Sequence, residues 1–431
     1  MENKDISIEL QAEKLVYGGA ALTHLPDGKV AMLWNALPGE KVVVSPAKKR
    51  RGVYELWPKE IITPSTHRQQ PNEEHFGSCS PWQVMDYAYE NEQKVAIAQE
   101  AFQRIGKFDW PELTVYAPEE RFSYRNKIEF SFYVDDADEL HLAFFHRGTK
   151  QLRPIEGCNL ATPAINEVAH RILQWVRSQK LQKRNLKSLI VRSNRAGQVI
   201  AALLLKDKLE FDGLPPLEAP LIGFQLVYST HKSPASVFTE VLQEEGILEL
   251  AEEVAGVRFS YSIESFFQVY IAVFEQALQA IAQHVPTDTP LLDFYSGVGS
   301  IGLPLAGHVP SVTLVESNQA AVEAASQNIA ANSITNAAAH CSPAEKIVEL
   351  IDSKHTLIVD PPRAGLHQKV VDRILEVKPE DVIYLSCNVS TQARDLELLS
   401  KAYDISHLQL FNFFPGTPHI ESLAVLKRRP V

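Results

Sequence analysis

The sequence predicts an α/β protein: a Rossmann-like, doubly wound sheet in the C-terminal part, preceded by a small β-barrel and an α+β middle region. Three observations lead to this fold class. From about residue 259, apolar strand-like runs alternate with helical segments. The first sixty or so residues contain short β-like runs separated by turn dipeptides. The region between them mixes alternating strand patterns with one helical pattern.

Composition limits the class of protein. With 431 residues, 45% hydrophobic and 22% charged, the chain is long enough for two or three globular domains. No apolar run approaches the roughly 18 residues of a membrane span, and the start is acidic and polar, so we expect a cytoplasmic protein without membrane contact. Nothing in the sequence requires an oligomer, so we expect a monomer. The net charge of −11 disfavours nucleic acid as a partner unless basic residues cluster locally.

The N-terminal barrel is predicted from turn dipeptides at residues 18–19, 27–28 and 38–39. The segments "YGGAA", "NALPGEKVVV" and "ITPS" resemble a TRAM module, an OB-like RNA-binding barrel, which would cover residues 1–66. The basic run at 48–51 would then lie on or beside its nucleic-acid face. A solvated charge run is the alternative interpretation.

The middle region, residues 67–258, is predicted to contain a strand pair and a helix over 162–180. "RFSYRNKIEFSFYV" and "LHLAFFHRGTKQLRPI" have the alternation of the two strands. Arg125 and Lys127 lie among aromatics there, a mixture typical of RNA contact, although amphipathic strands on a core give the same pattern. Residues 177–195 hold seven Lys or Arg and no acid, which predicts a basic patch.

A glycine motif follows the first strand of the C-terminal sheet. In "DFYSGVGSIG", Gly297 and Gly299 let a turn close and the backbone approach a ligand, and Glu316 is placed to bind a ribose hydroxyl. A dinucleotide or S-adenosylmethionine would fit equally well. The rigid "DPPR" at the end of a later strand favours the methyl donor, because Asp360 there can accept from a base N–H.

The methyl acceptor is indicated by three side chains. Arg363 stands where amine methyltransferases usually have a stacking aromatic, so an amine is disfavoured. Carbon 5 of uracil is a poor nucleophile and needs a thiolate added at C6, followed by a base that removes the C5 proton. Cys387, at the mouth of the predicted strand "DVIYLSC", and Glu421, in "FFPGTPHIE", could supply these groups. A core cysteine and a surface acid are the alternative interpretations.

These motifs together resemble the class I RNA uracil-5-methyltransferases, which make 5-methyluridine in tRNA or ribosomal RNA. The likeness rests on the TRAM-like segments quoted above and on "SYRNKIEFSF", "SFFQVY", "DFYSGVGSIGLPLA", "DPPRAG", "LSCN" and "FPGTPHIE". It implies an S-adenosylmethionine-dependent methyltransferase sheet over residues 259–431, with Cys387 as nucleophile and Glu421 as base. It also implies that residues 93–118 pack on that catalytic domain. The remaining predicted contacts to cofactor and RNA are Gln268, Tyr295, Gly297, Gly299, Ser300, Glu316, Asp360, Arg363, Arg125 and Lys127.

The chain departs from the family pattern at Val389, Tyr270 and Gly416, none of which is a reacting group. Some members bind a [4Fe–4S] cluster through four cysteines. This chain matches only two of them, Cys79 and Cys158, and two thiolates cannot complete such a site. We therefore predict no iron–sulfur cluster and no metal ligand, with the remaining cysteines as core residues; wide cysteine spacing also argues against a zinc motif and a disulfide framework.

Other functions remain as alternatives. A non-catalytic RNA-binding or RNA-chaperone protein could use the same scaffold, although the intact Cys387, Glu421 and Asp360 count against it. Methylation of an amino group or of cytosine C5 loses support from Arg363 and from the lack of a Pro-Cys pair on the "DPPRAG" loop. We also expect a helix N-terminus or a nearby cation to help Cys387 ionise. The choice between tRNA and ribosomal RNA stays open.

Overall fold

The N-terminal region is built from short strands in two small sheets. The structure, a computed structural model, describes residues 7–45, 48–50, 52–230 and 237–430. One sheet has the order β1-β5-β8 and the other β2-β3-β4-β7-β6. The strands described here are β1 (Ile8–Gln11), β2 (Lys14–Leu15), β3 (Ala21–His24), β4 (Val30–Leu33), β5 (Lys41–Val44), β6 (Lys48–Arg50), β7 (Val53–Leu56) and β8 (Pro58–Thr63).

The alternating burial of these strands explains the barrel. Along β5, Val42 and Val44 are fully buried while Lys41 is exposed and Val43 half-buried, so one side of the strand forms the core. Of the predicted basic run, Lys49 is exposed and its ammonium lies 5.9 Å from the Tyr54 ring centroid. Arg51 lies outside the described residues.

A helical connector links the barrel to the rest of the chain. It contains α1 (Phe76–Cys79), α2 (Tyr87–Ala101), one π-helical turn (Phe102–Gly106) and β9 (Thr114–Tyr116). Helix α2 starts where the Asp86 side chain accepts a hydrogen bond from the Tyr89 N–H, which satisfies one of the free donors of the first turn.

The middle region contains a seven-stranded sheet with the order β12-β11-β10-β13-β14-β15-β16, covered by one helix, and a separate hairpin of β17 and β18. The predicted strand pair and helix are confirmed. The elements are β10 (Lys127–Val134), β11 (Leu140–Phe145), β12 (Leu152–Pro154), α3 (Pro163–Ser178), β13 (Leu186–Ser193), β14 (Val199–Leu205), β15 (Leu221–Tyr228), β16 (Glu240–Gly246), β17 (Glu249–Val254) and β18 (Val257–Ser262).

The C-terminal region has the predicted alternation of strands and helices. Its elements, apart from two 3₁₀ turns at Ala344–Lys346 and Val348–Leu350, are α4 (Ile271–Ala282), β19 (Leu291–Phe294), α5 (Gly302–Leu305), β20 (Val312–Glu316), α6 (Gln319–Ala331), β21 (Ala337–Cys341), β22 (Thr356–Val359), α7 (Gln368–Val377), β23 (Asp381–Ser386), α8 (Val389–Leu399), β24 (Tyr403–Phe411) and β25 (Glu421–Arg428).

These strands form one eight-stranded sheet with the order β21-β20-β19-β22-β23-β25-β24-β9. The first five are parallel, and β25 runs antiparallel between β23 and β24. The last strand of this order, β9, comes from the connector and pairs in parallel with β24. Phe102 of the connector is buried in the same apolar cluster as Leu396 of α8. The connector is thus part of this layer of the molecule.

Two sequence-based expectations differ from the structure. The expected boundary between residues 258 and 259 falls inside β18, whose backbone N–H at Ser260 donates to Asn328 Oδ1 of α6. The expectation that Cys341 is a core residue is wrong, because Cys341 is exposed at the end of the edge strand β21. No helix in the described ranges has the length and apolarity needed to pass through a bilayer.

The predicted basic patch holds only in part: Lys180, Lys183 and Arg184 are exposed, but two of the other cations are used inside the fold. Arg192 is fully buried, donates to the Ser262 and Ser265 carbonyls and stacks on an aromatic ring. Arg195 forms ion pairs with Glu252 and with a second glutamate on α4. These cations hold the hairpin and α4 against the sheet, because a buried guanidinium must satisfy its donors within the protein. They are therefore not available to bind RNA phosphates.

Candidate active site

The predicted functional side chains meet at one edge of the large sheet. Tyr295 follows β19, Glu316 ends β20, Asp360 follows β22 and Cys387 follows β23. Parallel strands end at the same edge, and ligands bind there in open α/β sheets. Strand β25 runs the opposite way, so its first residue, Glu421, lies at that edge too.

A cavity of about 1020 Å³ opens at this edge. It is large enough for a cofactor and a nucleobase together, since ligand pockets commonly measure about 300–1,000 Å³. Eight of the residues predicted from the sequence line it: Gln268, Tyr295, Gly297, Glu316, Asp360, Arg363, Cys387 and Glu421.

Four other predicted residues do not line this cavity. Gly299 packs inward, where a Cβ would lie 2.8 Å from the Leu303 side chain, and the neighbouring Ser300 is also not among the lining residues. Lys127 donates from Nζ to the Ile263 carbonyl at 2.5 Å, and burial lowers the pKa of its ammonium to about 8. Arg125 donates from Nε to the Lys127 carbonyl at 3.3 Å.

The glycine loop presents backbone donors beside an acid. Gly297 has φ +55°, which few side chains tolerate, and its N–H donates to Glu316 Oε2 at 3.1 Å. Below the loop, the buried Asp293 accepts from the Gly302 N–H at 2.9 Å through Oδ2. Burial raises the pKa of Asp293 to about 8. The loop therefore offers a rigid cradle at the start of a helix.

Cys387 and Glu421 are neighbours across two paired strands. The register of β23 and β25 pairs Ser386 with Ser422, so the next positions toward the cavity are Cys387 and Glu421. Glu421 is 7% exposed and Cys387 is half-buried, and both reach the same cavity. Burial and the nearby Asp360 raise the pKa of Glu421 well above its ordinary value. The two groups are placed to act on one ligand.

The expectation that a nearby cation helps Cys387 to ionise is met by Arg363, but other groups act more strongly on the thiol. Burial, followed by the Glu421 and Asp360 carboxyl groups, raises the pKa of the thiol to about 12. Arg363 acts in the opposite direction. The N-terminus of α8 also lies next to Cys387.

The loops that carry Arg363 and Cys387 are held together by one asparagine. Asn388 caps α8 by accepting from the Ser390 and Thr391 N–H groups through Oδ1. Its Nδ2 donates to the Arg363 carbonyl at 2.8 Å. One side chain thus positions both the "DPPR" loop and the strand end before α8.

A buried ion pair supports the loop that leads into Glu421. Lys94 and Glu90, both on α2 and both fully buried, are 2.8 Å apart. Lys94 Nζ also donates to Asn412 Oδ1 at 2.6 Å and to the Phe414 carbonyl at 3.1 Å. The Gly416 N–H donates to both oxygens of Glu90 at 3.0 Å. Sequence reasoning missed this network, because its partners lie more than 300 residues apart.

Three further side chains near the cavity were not predicted. Phe266 and His419 line it, and Phe266 is 72% exposed, which is unusual for a phenyl ring. Burial and nearby arginines, Arg363 first, lower the pKa of His419 to about 4, so its ring is neutral. Tyr17 of the barrel is close enough for the charges of Arg363 and Cys387 to affect the pKa of its phenol, which burial raises. The aromatic in "VYGGAA" was the available signal for Tyr17.

Comparison with known proteins agrees with this geometry. The family model described as tRNA (Uracil-5-)-methyltransferase matches residues 86–429. An uncharacterized RNA methyltransferase of Thermosynechococcus vestitus is 30% identical over 97% of this chain and 98% of its own length. Another from Aquifex aeolicus is 28% identical over 98% and 99%.

A solved structure shares the fold along nearly the whole chain. The tRNA (uracil-54, C5)-methyltransferase of Pyrococcus abyssi, in complex with S-adenosyl-L-homocysteine, is 23% identical with a TM-score of 0.79, covering 97% of this chain and 100% of that one. The predicted fold class, a Rossmann-like methyltransferase sheet with an OB-like barrel and an α+β middle region, is confirmed. The family model matches most of the chain, and the relatives align with it over nearly their whole length. The chain therefore belongs to the tRNA (uracil-5-)-methyltransferase family and is an RNA methyltransferase.

Proposed function

We propose that this enzyme transfers a methyl group from S-adenosylmethionine to C5 of a uridine in structured RNA, through a covalent adduct with Cys387. The observation that carries the proposal is the adjacency of Cys387 and Glu421 at the wall of a cavity that also contains Gly297 and Glu316. One cavity thus combines a thiol, a carboxyl group and a nucleoside-type cradle.

The cofactor half of the cavity suits an adenosyl group. Glu316 would accept hydrogen bonds from the ribose hydroxyls. Gly297 has no side chain, and a Cβ there would project into open space, so the ligand can approach the backbone at this position. Ser296 Oγ is buried without a hydrogen-bond partner in the described structure. Gln268 and Asp360 line the same cavity as Cys387. When bound, the cofactor would supply an electrophilic methyl group on sulfonium sulfur.

The chemistry at the uracil ring balances with two protein groups. Cys387 Sγ, as thiolate, forms a bond to C6, and the electrons of the C5–C6 double bond move toward O4, so that C5 becomes nucleophilic. After C5 has gained its methyl group, Glu421 removes the C5 proton. The double bond then re-forms and the sulfur–C6 bond breaks. A carboxylate of raised pKa is a stronger base, which suits Glu421 for this step.

The high pKa of Cys387 requires that ionisation accompany substrate binding. Arg363, on the same cavity wall, already lowers the pKa of the thiol. The Glu421 and Asp360 carboxyl groups raise it, so a proton held by either one favours the thiolate. Asp360 would accept the thiol proton, which leaves the Glu421 carboxylate free to remove the C5 proton later. We infer that the thiolate forms when RNA is bound rather than in the free enzyme.

The RNA must present its uridine out of the helix stack. A base inside a duplex cannot reach a thiol at the bottom of a cavity, and flipping costs least in loops and unpaired segments. Arg363 lines the cavity, and Arg125 and Arg147 are close enough to influence the charge of His419 there. We therefore propose a loop uridine of tRNA or ribosomal RNA as the substrate. Sequencing the RNA of a deletion strain to find the position where 5-methyluridine is lost would identify the RNA and the uridine that are methylated.

A division into functional units accompanies this proposal. Residues 1–66 would bind RNA as a barrel, the region that starts at residue 67 would guide RNA, and the C-terminal region would carry catalysis. We propose that the second boundary lies after Ser262 rather than at 258, and that residues 93–118 work with the catalytic region. The pairing of β9 with β24 supports the latter assignment.

Replacement of the proposed nucleophile tests the covalent step. Cys387→Ala is expected to lose turnover by several orders of magnitude while binding S-adenosylmethionine normally, because C5 is not activated without the thiolate. Tritium release from [5-³H]uridine RNA measures turnover, and calorimetry measures cofactor binding. Cys341→Ser, at an exposed cysteine that is not itself a lining residue of the cavity, is the control. Normal tritium release by Cys387→Ala would exclude Cys387 as nucleophile.

Replacement of the proposed base should instead stop the reaction after methyl transfer. Glu421→Gln keeps the size of the side chain but cannot remove the C5 proton, so the methylated RNA stays bonded to Cys387. A protein–RNA band that survives denaturing electrophoresis is the expected result, and it should be absent from the Cys387→Ala, Glu421→Gln double variant. Multiple turnover by Glu421→Gln would remove Glu421 from this role.

A further inference from the structure

A second cluster of reactive side chains lies outside the active-site cavity. Glu73, His75, Cys79 and Cys158 each offer one ligand atom, and these four atoms lie within 4.8 Å of one another. Three come from the connector, and Cys158 comes from the loop between β12 and α3. The methyl-transfer chemistry proposed above uses none of them.

The cluster is enclosed, and its groups satisfy one another only in part, since Cys79 Sγ donates to Glu73 Oε1 at 3.5 Å. The side chains of His75 and Glu73 are only 11% and 5% exposed. His75 Nε2 is buried without a hydrogen-bond partner in the described structure, although Glu73 Oε2 lies 3.1 Å away. A buried polar atom without a partner is unfavourable, and a cation at the centre of the four atoms would bind this nitrogen.

The donor set determines which cation fits. An iron–sulfur cluster takes four cysteine thiolates, and this cluster has two, so the donors do not fit it. Two sulfurs, one imidazole and one carboxylate do fit Zn²⁺, which binds these ligands in a tetrahedron with metal–ligand distances of about 2.0–2.3 Å. Ligand atoms around such an ion are separated by roughly 3.3–3.8 Å. Small side-chain shifts would bring the four atoms from their present spacing to that one.

The surrounding hydrogen bonds already orient the ligands. The Asn159 N–H donates to Glu73 Oε2 at 2.6 Å, and Gln83 Nε2 donates to Glu73 Oε1 at 2.8 Å. The Cys158 N–H donates to Asn166 Oδ1 at 3.0 Å. Partners of this kind hold metal ligands in place in zinc proteins.

We propose that Glu73, His75, Cys79 and Cys158 bind one structural Zn²⁺ that ties the connector to the middle region. The expectation of no metal site considered the spacing of the cysteines and did not include His75, which the fold brings to Cys158 across more than 80 residues of chain. The same connector touches the loop before Glu421, since the Trp82 N–H donates to the Gly416 carbonyl at 3.0 Å. Zinc at this site would therefore stabilise the connector under the active-site loop.

Metal content of the full-length protein tests the proposal without reference to activity. Protein purified in the presence of zinc, without chelators, is expected to contain about one zinc ion per chain, as structural sites do. Cys158→Ser should bind zinc more weakly by more than the roughly 10–100-fold that replacing an outer-shell partner costs. Cys341→Ser, which changes an exposed cysteine outside the cluster, should retain the metal.

Cobalt substitution of the wild-type chain covers the case in which Cys158→Ser does not fold. Co²⁺ added to the metal-free protein should give the sulfur-to-cobalt charge-transfer bands of a tetrahedral thiolate site, and zinc should abolish them. Glu73→Gln should weaken binding but keep these bands. Three results would overturn the proposal: metal-free protein with no cobalt bands, a disulfide between Cys79 and Cys158, or iron with inorganic sulfide in place of zinc.

Discussion

Cys387 is subject to opposing influences on its ionisation. Burial and two nearby acids raise the pKa of the thiol to about 12, while Arg363 lowers it. A nucleophilic cysteine usually has a depressed pKa. The balance therefore disfavours the thiolate of Cys387 relative to an ordinary cysteine.

The alkylation rate of Cys387 tests this balance. Because only the thiolate reacts, its rate with iodoacetamide in the free enzyme is expected to keep rising up to at least about pH 10, without a plateau near the ordinary pKa of about 8.5. Arg363→Leu should slow the reaction at every pH, since removal of the guanidinium raises the pKa of the thiol further. Peptide mapping by mass spectrometry separates Cys387 from the exposed Cys341, which serves as the internal reference. A plateau below about pH 9 would contradict the raised pKa.

At the scale of elements, helix α2 positions a loop of the catalytic region through the buried pair of Lys94 and Glu90. Burial lowers the pKa of Lys94, and its ammonium is held by Glu90 and by two acceptors on the loop before Glu421. A buried charge that loses its partner is costly, so the pair couples α2 tightly to that loop.

Lys94→Met is expected to reduce the free energy of unfolding by about 3–5 kcal/mol, because it leaves the Glu90 carboxylate buried and unpaired. It should also lower kcat more than it changes cofactor affinity, since the loop leads into Glu421. Urea unfolding and tritium release measure the two effects. Lys14→Met is the matched control: its pair with Glu100 is partly exposed, and such pairs contribute about 0–1 kcal/mol. Equal stability losses in the two variants would show that the buried pair has no special role.

At the scale of the whole molecule, the barrel contacts the active site directly. The Gly18 carbonyl accepts a hydrogen bond from Arg147 at 2.7 Å. A Cβ at Gly19 would lie 2.8 Å from Pro418, which belongs to the loop before Glu421. The backbone therefore approaches that loop as closely as only glycine allows. This contact places Tyr17, 42% exposed, near the cavity.

Tyr17 is therefore expected to stack on a base of the bound RNA. Tyr17→Ala should raise the KM for RNA by about 5- to 150-fold, which corresponds to loss of the roughly 1–3 kcal/mol of one base–aromatic stack. Cofactor affinity should stay unchanged. Steady-state tritium release with varied RNA measures KM, and Val30→Ala, at another exposed apolar residue of the barrel, is the control. An unchanged KM in Tyr17→Ala would exclude this contact.

Much of the architecture could be predicted because its signals are local. The alternation of strands and helices after residue 259 and the helix near 162–180 follow from apolar periodicity, which neighbouring residues determine. The clustering of Tyr295, Glu316, Asp360 and Cys387 follows from their positions at the ends of parallel strands. The family resemblance completed this prediction by relating Cys387 to Glu421.

The order of elements, the sheet edge where the candidate site lies and the residue types gathered there follow from sequence patterns alone. Which cations are free depends on tertiary packing, because Arg192 and Arg195 are used inside the fold. The raised pKa of the Cys387 thiol depends on packing too, because burial and two acids act on the thiol together. The same is true of the meeting of His75 and Cys158. Burial and long-range pairing depend on residues far apart along the chain, whereas sequence patterns report only the local backbone and its periodicity.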